Sequence, residues 1–188
     1  LMHLIQTNLD QPEQLQPYRK AFLQVGNAGI PMVVEAMQTA LGDSHQKTLD
    51  EMLTAYGLVA VQPILDMLPS QSESMQSRMI RSLSGIGKNA RLAQGAMLEA
   101  ARSKHPMIRA AAIEALASME IKMETFHQVV TPLLQDDFLE VRLSAVMALA
   151  QLPSAVQNHL EALGDLITDL DTVLREQALL ALTHAGDM

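Results

Sequence analysis

Apolar residues return every three or four positions along most of this chain. Val141, Ala145, Val146, Leu149 and Leu152 fall on one face of a helix with 3.6 residues per turn. The same face recurs 33 residues upstream as Ile108, Ala112, Ile113, Leu116 and Met119. It recurs 33 residues downstream as Leu174, Ala178, Leu179, Leu182 and Ala185. Met75, Met79, Ile80, Leu83 and Ile86 form a weaker copy. No stretch sustains an alternation of period two, so no strand is predicted. Another helix per unit, preceding each of these, is predicted over Asn89–Ser103, Glu124–Gln135 and Val156–Asp169.

Further upstream, 30–37 and 61–68 share their apolar spacing at an interval of 31, each with a proline near its start (Pro31, Pro63). Proline is tolerated there in a first turn or as a kink. Pro132 is expected to bend its helix. Pro12–Val25 reads as an opening helix. Gly26, Gly42, Gly57, Gly87 and Gly186 follow apolar runs, where C-caps are expected. Ser70–Ser74, Asp136–Asp137 and Asp169–Thr172 supply N-cap candidates.

A fixed period of this length marks one supersecondary unit repeated along the chain. Such a unit cannot bury its apolar face alone and must stack on its neighbours. The expected fold is all-α, an α–α superhelix of about five helix pairs. It is read as a single domain over 1–188, with the strongest repeats in 75–188 and diverged ones in 12–68. Arg109, Arg142 and Arg175 stand once per unit, and Gln76 occupies the same slot in the weaker copy. Small residues recur inside the second helix (Ala112, Ala115, Ala145, Ala148, Ala178, Ala181), where they let neighbouring helices approach.

The run Asp136-Asp137-Phe138-Leu139-Glu140-Val141-Arg142, followed by Ala145 and Ala148-Leu149, resembles HEAT repeats. The nearest likeness is to the short bacterial kind called HEAT-like or PBS-lyase-type. The copies at 105–119 and 171–185 match well, and 75–87 fairly, so about two thirds of the chain is covered. The resemblance implies a right-handed solenoid with the second helices lining a concave surface. It also implies a protein-binding scaffold more often than an enzyme. The repeated arginines sit near helix N-termini, where the helix dipole disfavours a cation. They read as a structural ladder (Arg109, Arg142, Arg175, with Asp137), each reaching an acidic or carbonyl-rich turn of the adjacent unit. A ligand-binding role is the alternative.

Three columns on the second helices follow the 33-residue register. They are Arg81, Glu114, Met147, Leu180; Ser77, Ala110, Leu143, Glu176; and Arg78, Ala111, Ser144, Gln177. A surface running from basic to apolar is expected, with Leu143, Met147 and Leu180 as an exposed patch of the kind that marks interaction sites. Arg78, Arg81, Glu114, Leu143, Met147, Gln177 and Leu180 are thus the candidate partner-binding residues. A further helix or repeat packed over that patch is the alternative.

Formal net charge is −8 over 188 residues. It is unevenly spread: residues 1–73 carry −5, residues 74–109 carry +6 and residues 110–188 carry −9. The basic band could grip an acidic partner, or be a solvated face of inter-repeat ion pairs. Net acidity and the scarcity of aromatics disfavour nucleic acid. The absence of cysteine excludes thiolate chemistry and disulfides. No apolar run is long enough to span a membrane, and 1–30 contains no basic segment followed by an apolar one. The expected compartment is the cytoplasm, and the start at Leu1 reads as an excised domain.

His3, His45, His105, His127, His159 and His184 are scattered, with no HExxH and no His-Glu pair, so no metal site is expected. No phosphate loop or nucleophile elbow is present. The thirteen methionines read as core filler. The expected function is a non-enzymatic scaffold without a cofactor that holds a protein or peptide, including one with acidic segments, on its concave face. The PBS-lyase-type resemblance raises a bilin or chromophore lyase as the alternative. HEAT-like DNA glycosylases suggest a nucleic-acid binder, which the short basic band and lack of Trp disfavour. The last helix presents Leu179, Leu180 and Leu182 in several directions with no polar cap, so contact with further repeats or domains of a larger protein is also expected.

Overall fold

The structure, a computed structural model, describes residues 23–39 and 43–186. The expected opening helix lies almost wholly outside them, as does Gly42. The described residues contain helices and no strand. We number the helices α1 (Gly29–Thr39), α2 (Asp43–Ala55), α3 (Leu58–Met67), α4 (Glu73–Ile86), α5 (Gln94–Ala100), α6 (Pro106–Ser118), α7 (Met123–Leu133), α8 (Leu139–Ala150), α9 (Pro153–Val156), α10 (Leu160–Leu166) and α11 (Thr172–Gly186). They form five successive pairs: α1/α2, α3/α4, α5/α6, α7/α8 and α9–α10/α11.

The second helices α2, α4, α6, α8 and α11 pack on one another in that order, far more extensively than the first helices do. The cause is in the sequence. Ala110, Ala111, Ala112, Ala115, Ala145, Ala148, Ala178 and Ala181 are all buried in this row. Small side chains let these helices approach closely, while Ile113, Leu116, Val146 and Leu149 fill the space beside them. The closer row is the shorter path through the array, so it forms the inner layer of the solenoid. One continuous apolar core runs from Ile30 to Ala181.

Two of the predicted first helices are broken rather than continuous. The segment expected over Asn89–Ser103 begins as a 3-10 helix, Gly87–Ala93, before α5. Ala90 and Ala93 are its buried residues, three apart, which suits the tighter three-residue turn. The segment expected over Val156–Asp169 divides into α9, a 3-10 turn at Gln157–His159, and α10. Val156 and His159 are again buried three apart. Pro132 is the penultimate residue of α7 and so bends nothing in its middle.

Caps follow the turn chemistry. Ser72 Oγ accepts from Met75 N at the start of α4. Gly26, Gly57 and Gly87 all have positive φ, whereas Gly186 is the last residue of α11 rather than a cap beyond it. At the end of α6 the register position of Gly87 is occupied by Glu120, which takes φ 50°.

Candidate functional site

The repeated arginines occupy the turns between units. Arg109 Nη1 donates to the Ser103 carbonyl in its own turn. Its Nε and Nη2 donate to Asp136 Oδ2 and Oδ1, at 2.8 and 2.7 Å, in the next. Arg142 repeats the plan: Nη1 donates to the carbonyls of Asp136 and Asp137, and Nη2 to Asp169 Oδ2 at 3.1 Å. Arg175 keeps only the local half, donating to the carbonyls of Asp169 and Leu170 and to Thr172 Oγ1. The acid expected at Asp137 is corrected by one residue. Asp136 carries the carboxylate, because that carboxylate also accepts from Phe138 N and is thereby turned toward Arg109. The N-cap of α8 is accordingly Phe138 and not an aspartate.

Burial acts to raise the Asp136 pKa. The hydrogen bonds from Arg109 and Phe138 N, with the charges of Arg109 and Arg142, outweigh it and hold the carboxyl below its ordinary value. Asp169 is also held low, first by the hydrogen bond from Asp171 N and then by Arg142, against the opposing effect of burial. Both carboxylates are committed to the scaffold and are poor acid–base candidates.

The inner surface is narrower than the three columns imply. Ser77, Ala110, Ala111 and Ser144 are buried between second helices. Leu143 is partly buried against the core and is not an exposed anchor. Arg78 is not presented to a partner either. Its side chain is 15% exposed, and it donates to the carbonyls of Met37 and Gln46 and to Asp50 at 3.1 Å. Burial raises Asp50 despite this arginine. Gln177 is half-buried. Of the three columns, Arg81, Glu114, Met147 and Leu180 is the one with no buried member.

Within that column the two halves differ. Arg81 Nε donates to Glu114 Oε2 at 3.2 Å, and Ser144 Oγ donates to Glu114 Oε1 at 2.7 Å. The first half is therefore a closed polar chain. The second half is apolar and open, with Met147 46% and Leu180 48% exposed. Within the basic band Arg78, Arg81, Arg102 and Arg109 each meet a carboxylate, on Asp50, Glu114, Glu99 and Asp136, while Arg91 bonds the neutral Glu120 carbonyl and keeps its charge. Beside Arg81 an open cavity of about 660 Å³ is lined by Gln46, Lys47, Asp50, Glu51 and Thr54. Its floor is set by Gly85, where a Cβ would come within 2.9 Å of the Thr54 side chain.

No family model and no curated protein sequence matches the chain. Among solved structures, the fold is similar to that of a chain in the complex of CpcE and CpcF of phycocyanin lyase from Nostoc sp. PCC7120. The TM-score is 0.68 at 20% identity, over 82% of this chain and 98% of that one. At this identity the likeness establishes a shared helical, solenoid-type fold. Among the described residues no single helix is long and apolar enough to cross a membrane.

One further feature is not evident from the sequence. His127 Nδ1 lies 2.8 Å from His159 Nε2, and Asn158 Nδ2 lies 2.8 Å from His127 Nε2. Both contacts are satisfied when His127 carries its proton on Nδ1, with Asn158 donating to it and His127 donating to His159. Burial lowers the His159 pKa, and the His127 charge adds to this. The signal was their separation of 32 residues, close to the repeat. Among the described residues no group of three or more ligating side chains could hold a metal ion. The last unit exposes apolar side chains, in line with the run of leucines in its second helix. Leu179 stands at the register of Val146 and Ile113, both fully buried, yet is 55% exposed, and Leu170 is 99% exposed.

Proposed function

We propose that this chain is a non-enzymatic scaffold that binds a protein or peptide on the inner face of its solenoid. The observation that supports this is the pair Met147 and Leu180. They lie one repeat apart in one column and are both half exposed, beside a polar half that is internally satisfied. Exposed methionine and leucine on a rigid helical row suit the apolar face of a partner segment. The closed Arg81–Glu114–Ser144 chain adds polar selection along the same surface without presenting a net positive field. Specificity on this reading comes from apolar complementarity rather than from acidic steering. The uncovered Ile167, Leu170 and Leu179 support a further contact with another helical repeat or domain. Charge substitution at Met147 and Leu180 tests the inner face, because neither residue is needed to fill the core.

A second reading is that the chain handles an open-chain tetrapyrrole, as a lyase-like protein. Its support is the likeness of fold to a chain of the phycocyanin lyase complex. It predicts a change in bilin absorbance on mixing with the protein. An unchanged spectrum at excess protein rejects it.

A further inference from the structure

The arginine ladder begins at Arg109, and a crevice lies at the junction just before it. Ser103 is the register counterpart of Asp136 and Asp169, and its carbonyl accepts from the arginine of its own unit, as theirs do. Its hydroxyl accepts from His105 N, as Asp136 accepts from Phe138 N and Asp169 from Asp171 N. Gln76 stands in the arginine slot one unit earlier. It keeps the local contact, donating from Nε2 to the Gln71 carbonyl at 2.9 Å. Glutamine and serine are too short to form the forward bridge that Arg109 makes to Asp136. The helix α5 is also slimmer here, with Ala96 and Ala100 where the next unit has Val129 and Leu133.

Two contiguous hollows result. An apolar one of about 470 Å³ is lined by Leu65, Leu68, Ile80, Met97 and Ala100. A polar one of about 710 Å³ is lined by Ser72, Glu73, Ser74 and His105. Gln76, Ser103 and Ile108 border both. The titratable side chains that line the pair are Glu73, Glu99 and His105; His105 Nδ1 lies 2.8 Å from Glu73, and Arg102 lies 3.3 Å from Glu99 on an exposed edge, where water screens the pair. No lysine or arginine lines either hollow.

We infer that this crevice is a binding site for a guanidinium group carried on an apolar stem, presented as an arginine beside an apolar residue of a partner segment. At the two following junctions the same place is held by the chain's own guanidinium, against turn carbonyls and a carboxylate, in spite of the adjacent helix N-terminus. Here the turn carbonyls of Gln71 and Ser103 each accept one hydrogen bond and keep a second lone pair, Glu73 beside His105 supplies a carboxylate from a different position, and no guanidinium bridges the two units. The acidic lining selects a cation, the fork of a guanidinium matches several acceptors at once, and the apolar hollow takes the stem. This surface lies on the turn edge and outer layer, apart from the inner column of Met147 and Leu180.

Methyl NMR of the full chain with n-hexylguanidinium as probe tests the site. Saturable shifts at Leu65, Met97 and Ile108 are expected, with n-hexanoate producing none. The variant Gln76→Arg/Ser103→Asp extends the ladder to this junction. It should weaken the probe at least about tenfold, equivalent to about 1.4 kcal/mol, and raise the melting temperature. If that variant does not melt higher, Ala100→Leu, which installs the residue of the next unit, carries the same expectation for binding. Met147→Asp/Leu180→Asp should leave the shifts unchanged, which separates this site from the inner face. No saturable shift in the wild type, equal response to hexanoate, or undiminished binding in the ladder-extended and Ala100→Leu variants overturns the inference.

Discussion

Arg109 forks onto Asp136 across a repeat boundary, with both nitrogen–oxygen contacts under 3 Å and side chains only 13% and 11% exposed. The arginine also lies over the Phe138 ring at 5.7 Å. One guanidinium thus closes its own turn and clamps the next. Arg109→Ala removes the clamp and leaves a largely buried carboxylate, which should cost about 3 kcal/mol of unfolding free energy by urea titration. A loss below about 0.5 kcal/mol, the range of an ordinary surface change, would show the clamp to be ornamental. Arg142→Ala should cost less, because its bridge to Asp169 is a single contact and its Nε has no partner.

The same carboxylates set the response to acid. Asp136 and Asp169 have folded pKa values below their ordinary 3.8. Between the folded and unfolded values the unfolded chain binds more protons. Their contribution is therefore complete above about pH 5 and is lost as pH falls through 3.8 to the lower folded values. Asp136→Asn should flatten the steep acid limb of a stability-against-pH curve while lowering the plateau at neutral pH. An unchanged acid limb would contradict the assignment.

The histidine pair acts in a higher window. His159 is depressed from 6.5 in the folded state, so the unfolded chain again takes up the extra proton as pH falls below that value. Stability should be full at about pH 7.5 and decline as pH drops through 6.5 toward the folded value. Substituting His159→Gln should remove this component, leaving melting temperature flat over that interval. A wild-type melting temperature that does not fall between about pH 7 and pH 5.5 would refute it.

Glu120 pays a conformational cost that Gly87, its register counterpart, avoids. A non-glycine residue at φ 50° carries a penalty of about 1 kcal/mol or more. Glu120→Gly should raise stability by about 1 kcal/mol, since the cap uses the backbone carbonyl that Arg91 reaches and not the carboxylate. Thermal unfolding decides the sign.

Gly85 is the opposite case. Alanine is the better helix former by about 1 kcal/mol, yet its Cβ would meet Thr54 Cγ2 and Oγ1 at 2.9 Å. A β-branched neighbour has little rotamer freedom with which to yield. Gly85→Ala should destabilise by about 1 kcal/mol, and Thr54→Ala in the same chain should restore the loss. Stabilisation by the single change would mean that α2 and α4 are less closely packed.

The fold was legible because a solenoid writes its packing into the sequence at a fixed period. Arg109, Arg142 and Arg175, with Ala112, Ala145 and Ala178, are in register and in equivalent places. What lay across the period was harder to read. Which of Asp136 and Asp137 meets the arginine depends on turn geometry, which one residue of sequence offset does not convey. Arg78 is placed at the surface by its register, on the face opposite the apolar set. It is largely covered because Met37, Gln46 and Asp50, in the diverged first unit, receive its guanidinium, and that unit lacks the repeat signal that would place them. Leu143 shares its face with Ala110, yet the exposure of such a column depends on the width of the neighbouring helix. The contact between His127 and His159 was hidden because first helices repeat less regularly than second ones.

The inner-face claim is tested most directly by affinity capture from the native source with the wild type and with Met147→Asp/Leu180→Asp, both shown to be equally helical by circular dichroism. The account predicts a specific partner that the wild type retains and the double variant loses. A partner held equally by both proteins would contradict the inner column as the binding surface.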